Sequence, residues 1–109
     1  MTRVTGPKIT EKVWTAQFRQ LVKTFGWEAY HTFFSRFSER GFPDFVLYNT
    51  AQKRVMFVEL KTETGKLSEH QERWRDGLLA CGQEFYCWRP SDFDEAAAIL
   101  RRKEKDPND

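Results

Sequence analysis

Cysteine is scarce in this chain, with Cys81 and Cys87 the only two among 109 residues. They form no CxxC pair and have no histidines at metal-finger distances, so reduced, partly buried thiols are expected in place of a disulfide scaffold or a zinc finger. Histidine is as sparse. His31 and His70 make no HxxxH or HNH-like arrangement, so zinc or histidine-base catalysis has no support, and plain structural or surface roles are expected. No stretch is apolar for long enough to cross a membrane, and the first residues lack the apolar core of a signal peptide. The expectation is a cytoplasmic chain with no membrane partner and no organic cofactor. A dominant charge is missing too: the net +2 is too small to identify a nucleic-acid partner by itself.

Aromatics, by contrast, are abundant. Trp14, Trp27, Trp74, Trp88 and ten phenylalanines give a chain of this length much apolar area per residue, enough for one modest core, and dimerisation would relieve what a small domain lacks. Trp14, Phe18, Leu21, Val22 and Phe25 recur at spacings of three and four, which predicts an amphipathic helix from about Thr10 to Phe25, stopped by Gly26. Strands follow over Ala29 to Phe34, Asp44 to Asn49 and Arg54 to Lys61, the last two forming a hairpin. A helix capped by Ser68 ends at Gly82 as its C′ residue. Glu84 to Trp88 is a fourth strand, and Ser91 is expected to cap a last helix from Asp92 to about Lys103. The order αβββαβα predicts an α/β fold with a mixed central sheet of about four strands flanked by helices, the third and fourth strands parallel. One domain over residues 10–103 is expected, between a loose leader (1–9) and a tail (104–109).

The chemistry is concentrated in Gly41-Phe42-Pro43-Asp44 and, fourteen residues later, Glu59-Leu60-Lys61. Mg²⁺ takes oxygen ligands and keeps several waters, so one or two carboxylates with an open face suit it. Asp44 and Glu59 are the candidate carboxylates, with the Leu60 backbone carbonyl a possible further ligand. Residues two apart on a strand share a face, so Glu59 and Lys61 point the same way. A lysine there supplies positive charge near a phosphoryl oxygen or the attacking water. Either motif alone also reads as ordinary alternation or a turn. Together they are harder to dismiss, because Glu59 and Lys61 interrupt an apolar strand where burying charge needs a reason.

Two further residues carry a double reading. Glu11 lies three residues before Trp14, so it serves either the helix dipole, with Thr10 as N-cap, or the site as a third acid. Ser68 and Gln71 have the spacing of a capping box, a role sufficient to explain Gln71, although a second job would need the same location.

The stretches GFPDFVLYN, RVMFVELKTETGKLSEHQERW and FYCWRPSDFDE resemble the VRR-NUC domain, a branch of the PD-(D/E)XK nuclease superfamily. The resemblance spans about Thr10 to Leu100. It implies a restriction-endonuclease-like core and a Mg²⁺- or Mn²⁺-dependent phosphodiesterase. Asp44 and Glu59 match its metal-site positions, Glu11 an acidic residue on its first helix, Lys61 its catalytic lysine and Gln71 its helix-borne glutamine, which the resemblance implies reaches the active site and orients Lys61 or the water. Single-domain members from phages and bacteria are similar to Holliday-junction resolvases and act as homodimers, so the implied partners are branched DNA and a second copy, in a bacterial or phage-infected cell. The alternatives are a nuclease of single-strand, flap or nicking preference and a non-catalytic nucleic-acid-binding module.

The basic residues are spread through Arg36, Arg40, Lys53, Arg54, Lys66, Arg73 and Arg75, where they can surround an acidic cleft with phosphate contacts. Arg36 and Lys66 flank the expected catalytic strand ends, and Arg73 lies on the following helix. Ser35 and Ser38 are candidates for phosphate hydrogen bonds. Phe33, Phe34 and Phe37 form an aromatic cluster that suits either a dimer surface or the core.

Overall fold

The computed structural model describes residues 8–33 and 39–102. The first helix, α1 (Glu11–Thr24), begins where Thr10 Oγ1 accepts the Val13 N–H at 3.2 Å, a side-chain N-cap. Its apolar stripe puts Trp14, Phe18, Leu21 and Val22 inside. The strands β1 (Glu28–His31), β2 (Phe45–Asn49) and β3 (Arg54–Leu60) follow, then α2 (Glu69–Ala80), β4 (Glu84–Trp88), a 3-10 turn (Pro90–Asp92) and α3 (Phe93–Arg101). The expected order is observed.

The sheet runs β1-β2-β3-β4, with the first two pairings antiparallel and β3 parallel to β4. A hairpin links β2 to β3, whereas a parallel neighbour needs a crossover, and α2 is that crossover. Alternation sorts the faces: Phe45 and Leu47 of β2 and Met56, Val58 and Leu60 of β3 are buried in one core with the α1 stripe and with Ala96 and Leu100 of α3. Phe18 binds the layers together, its ring 5.2 Å from Phe45 and 5.8 Å from Trp88. The opposite face carries Phe57 and Glu59, and α2 covers that side through Phe42 and Trp74, whose centroids are 4.9 Å apart. Among the described residues no helix is long and apolar enough to cross a membrane.

Several boundaries move. The first strand is Glu28–His31 instead of Ala29 to Phe34, and Phe34 lies outside the described residues. Asp44 and Lys61 stand just beyond the ladder, on strands bounded by Phe45 and Leu60. Ser91 does not cap the last helix. Pro90 opens a 3-10 turn there, and Glu63 takes both the Ser91 N–H and its hydroxyl, so Asp92 precedes α3 without a side-chain cap. The helix also stops early, at Arg101, because its last carbonyls are claimed by side chains: Arg54 Nη1 donates to Ile99 O and Arg102 O, and Trp27 Nε1 and Gln52 Nε2 both donate to Leu100 O.

Candidate active site

The site forms at the end of the sheet where β2 begins and β3 ends. Gly41 opens it with φ +88°, a left-handed backbone that favours glycine. It is also where α2 comes closest: a Cβ at Gly41 would lie 2.4 Å from the carbonyl carbon and oxygen of His70. Phe42 then packs edge-on against Trp74 and Phe57. The Thr32 hydroxyl donates to Pro43 O at 2.7 Å, and its N–H donates to Asp44 O at 2.8 Å. With its backbone held on that side, Asp44 turns its carboxylate toward β3, where Oδ2 accepts the Leu60 N–H at 2.9 Å.

Glu59 sits beside it, 2 % exposed. Its Oε1 accepts from Gln71 Nε2 at 3.1 Å, while Oε2 is buried and has no hydrogen-bond partner among the described residues. Burial first, then the nearby Asp44 carboxylate, push the Glu59 pKa up to about 9; Lys61 opposes the shift and Glu11 adds to it. Glu59, buried beside the half-buried Asp44, therefore has less positive charge near it than its burial demands. An orphaned buried oxygen beside a second carboxylate fits a hard divalent cation, which binds through oxygen and supplies that charge. Among the described residues no group of three or more His, Cys, Asp or Glu is placed to hold an ion, so such a shell would draw on Asp44, Glu59, backbone and water.

The Leu60 carbonyl is placed to join them. The Lys61 N–H donates across to Trp88 O on β4 at 3.0 Å. In a trans peptide the preceding C=O points the opposite way, toward the β2 side, where Asp44 stands.

Gln71 makes the cap contact and a contact to the buried acid together. Its Oε1 accepts the Ser68 N–H at 2.8 Å while Ser68 Oγ accepts the Gln71 N–H at 3.1 Å, completing the capping box. That leaves the amide nitrogen free to donate to Glu59. The group it orients is thus Glu59, whereas sequence reasoning had pointed to Lys61 or the water.

Lys61 is half-buried immediately after β3, and Glu11 is exposed in the first turn of α1. That turn is brought to the same strand end by Trp14, whose Nε1 donates to Trp88 O at 3.1 Å. Cys87 pairs in register with Glu59 on β4, and burial pushes its thiol pKa up, as suits an unreactive cysteine. Both cysteines are free. Lys66 and Arg73 are exposed, on the loop before α2 and on α2 itself, while Ser35, Arg36, Ser38 and Phe37 lie outside the described residues.

Two of the surveyed basic residues are occupied elsewhere. Arg54 stands at the far end of β3, paired with Glu84 at 2.6 Å and spent on the α3 carbonyls. Arg75 pairs with Asp76 at 2.8 Å and lies near Glu72. Arg89 and Glu63, in turn, were not anticipated. Arg89 Nη1 donates to Thr62 O, and Glu63 Oε1 accepts the Ser91 N–H at 2.6 Å, so the loop after Lys61 is fastened to the turn after β4. The parallel pairing of β3 with β4 was their only signal in the sequence, since it brings those two strand ends together.

No curated protein and no solved structure matches this chain. A family model does, that of the VRR-NUC domain, over residues 7–91. That span takes in both acids, Lys61, Gln71 and every strand of the sheet, and on it the chain belongs to the VRR-NUC domain family, a family of nucleases.

Proposed function

We propose that this protein is a metal-dependent endonuclease that cuts branched DNA as a homodimer. The observation that carries the reading is Glu59: an acid buried to 2 % exposure, one oxygen without a partner, beside Asp44 and ahead of Lys61. An acid made so costly to ionise, set beside a second acid, is a mark of a functional site. Mg²⁺ or Mn²⁺ there supplies charge that polarises the scissile phosphate and eases deprotonation of water. Asp44, Glu59 and the Leu60 carbonyl bind it, with Glu11 assisting through its negative charge. Gln71 holds Glu59 in orientation. Lys61 positions the water and stabilises the negative charge that develops on the phosphoryl oxygens during in-line attack. Lys66 and Arg73 bind flanking phosphates, and Ser35, Arg36 and Ser38 are assigned the same task.

Dimerisation is supported by the half of the sheet that α2 leaves bare. Tyr30, Tyr48 and Val55 share that face and are 69 %, 50 % and 46 % exposed, apolar area that a second copy would bury. A two-fold pair presents two sites to two strands, as cutting across a branch requires. The test is a labelled panel of junction, flap, single-strand and duplex DNA with Mg²⁺ or Mn²⁺, alongside sedimentation of the free protein. Junction cleavage abolished in Lys61→Ala and Asp44→Asn, both still folded, is the expected result. Preferential cutting of single strands or flaps would replace the branched-DNA assignment. Full activity of Lys61→Ala would remove the lysine from the mechanism.

A further inference from the structure

At the active-site end of the sheet, on the side facing α1, His31, Phe33 and Arg19 gather over the buried Phe45 in an arrangement that the chemistry above does not use. The His31 ring lies flat on Phe45, centroids 4.4 Å apart and planes 11° apart. Phe33 packs against His31 at 4.6 Å, yet remains 75 % exposed. Arg19 Nη2 is 3.0 Å from His31 Nδ1, and its guanidinium carbon stands 5.5 Å from the Phe45 ring centroid. An arginine only donates, so Nδ1 accepts and the imidazole is neutral. Burial, then the Arg19 charge, hold the His31 pKa below its ordinary value, in agreement. The guanidinium meets no carboxylate at ion-pair distance among the described residues.

A single exposed phenylalanine is ordinary. This one is backed by the His31 ring, which also meets Arg19, and it follows a residue that hydrogen-bonds the backbone of Asp44. Phe45 follows Asp44 in sequence and is the register partner of His31, and Thr32, between His31 and Phe33, hydrogen-bonds the Asp44 carbonyl. A preorganised aromatic face next to a guanidinium matches a nucleotide, whose base stacks while its phosphate takes the charge.

We infer that Phe33, backed by His31 and flanked by Arg19, is a stacking platform for an unpaired base of the DNA strand whose phosphate lies at Asp44 and Glu59. The inference rests on the nuclease reading above and deepens it. A fully paired duplex stacks both faces of its interior bases, whereas an unpaired nucleotide at a branch leaves one open, so the platform favours branched DNA with such a nucleotide over continuous duplex.

The test uses the full chain carrying Asp44→Asn, so that DNA is bound without being cut. The probes are a branched DNA with one unpaired 2-aminopurine at the branch and a fully paired duplex of the same length. Binding is expected to quench the 2-aminopurine. Adding Phe33→Leu should abolish the quench and weaken binding of the branched DNA about tenfold while leaving the duplex unaffected. Phe33→Trp should preserve the quench. Arg19→Gln should weaken both DNAs and lower the salt slope by roughly one. The ring is mostly exposed, so Phe33→Leu should keep the parent thermal transition. Unchanged quench and affinity in Phe33→Leu, equal losses on both DNAs, or conversion of a sedimenting dimer to a monomer would each overturn the inference. The readout needs no cleavage, so its failure is separate from retained cleavage in Lys61→Ala, which would sink the nuclease mechanism instead.

Discussion

Glu59 carries the clearest energetic consequence at the scale of single residues. Its folded-state pKa of about 9 lies above the ordinary value of 4.5. The neutral form's contribution to stability is therefore fully present below about pH 4.5 and is lost as pH rises toward 9. In chelator, the wild-type melting temperature should fall over that range relative to Glu59→Gln, which cannot ionise. Mg²⁺ at pH 8 should raise the wild-type value and leave the variant unmoved. Parallel pH curves for the two proteins would mean that Glu59 is not a shifted acid. Gln71 permits a finer separation. Gln71→Glu keeps an acceptor for the Ser68 N–H but replaces the donor to Glu59 with a second negative charge, so the cap survives and the site does not. Gln71→Ala loses both, including a capping bond worth roughly 1 kcal/mol. Urea unfolding should rank Gln71→Glu above Gln71→Ala at low pH, with cleavage poor in both. The capping box was legible from Ser68 and Gln71 alone, because a cap is a bond between neighbours in sequence. The contact to Glu59 was not, since twelve residues and a change of element separate the partners.

Elements meet at Gly41, where the chain passes within a few ångströms of the first turn of α2. A side chain there must displace the His70 peptide, and α2 with it, so the effect of Gly41→Ala falls on Gln71 and then on Glu59. Strain at the positive φ adds of order 1 kcal/mol or more. The expected outcome is a lower melting temperature together with cleavage lost out of proportion to it. Normal activity per folded molecule would show that α2 can shift without disturbing the acids. In the sequence, Gly41 before Phe42, Pro43 and Asp44 reads as a turn. Its second role appears only once α2 has crossed over the sheet.

For the whole molecule, the two ends of β3 divide the labour. One end holds Glu59 and Lys61, while the other holds Arg54, whose guanidinium pairs with Glu84 and stops α3. The Arg54 side chain is 11 % exposed, and removing it deprives Glu84 of its shortest ion pair, leaving the carboxylate to Tyr86 and to the more exposed Arg102. Arg54→Met should therefore cost about 1 to 3 kcal/mol in urea unfolding, with cleavage per folded molecule and the salt dependence of DNA binding unchanged. A reduced salt slope would instead make Arg54 a phosphate contact.

By itself the sequence determined the αβββαβα order, the α1 stripe, the Ser68 cap and the shared face of Glu59 and Lys61. Each is written in a local period: 3.6 residues for helix burial, two for strand alternation, three for a capping box. The tertiary structure alone decided which charges lost their water and which found partners. It buried Glu59 beside Asp44 and gave Gln71 its second bond. It also withdrew Arg54 from the basic surface and set Phe33 on His31 at the same end of the sheet. Desolvation and pairing depend on what packs across the crossover and around the sheet edge, between residues that no short-range pattern links.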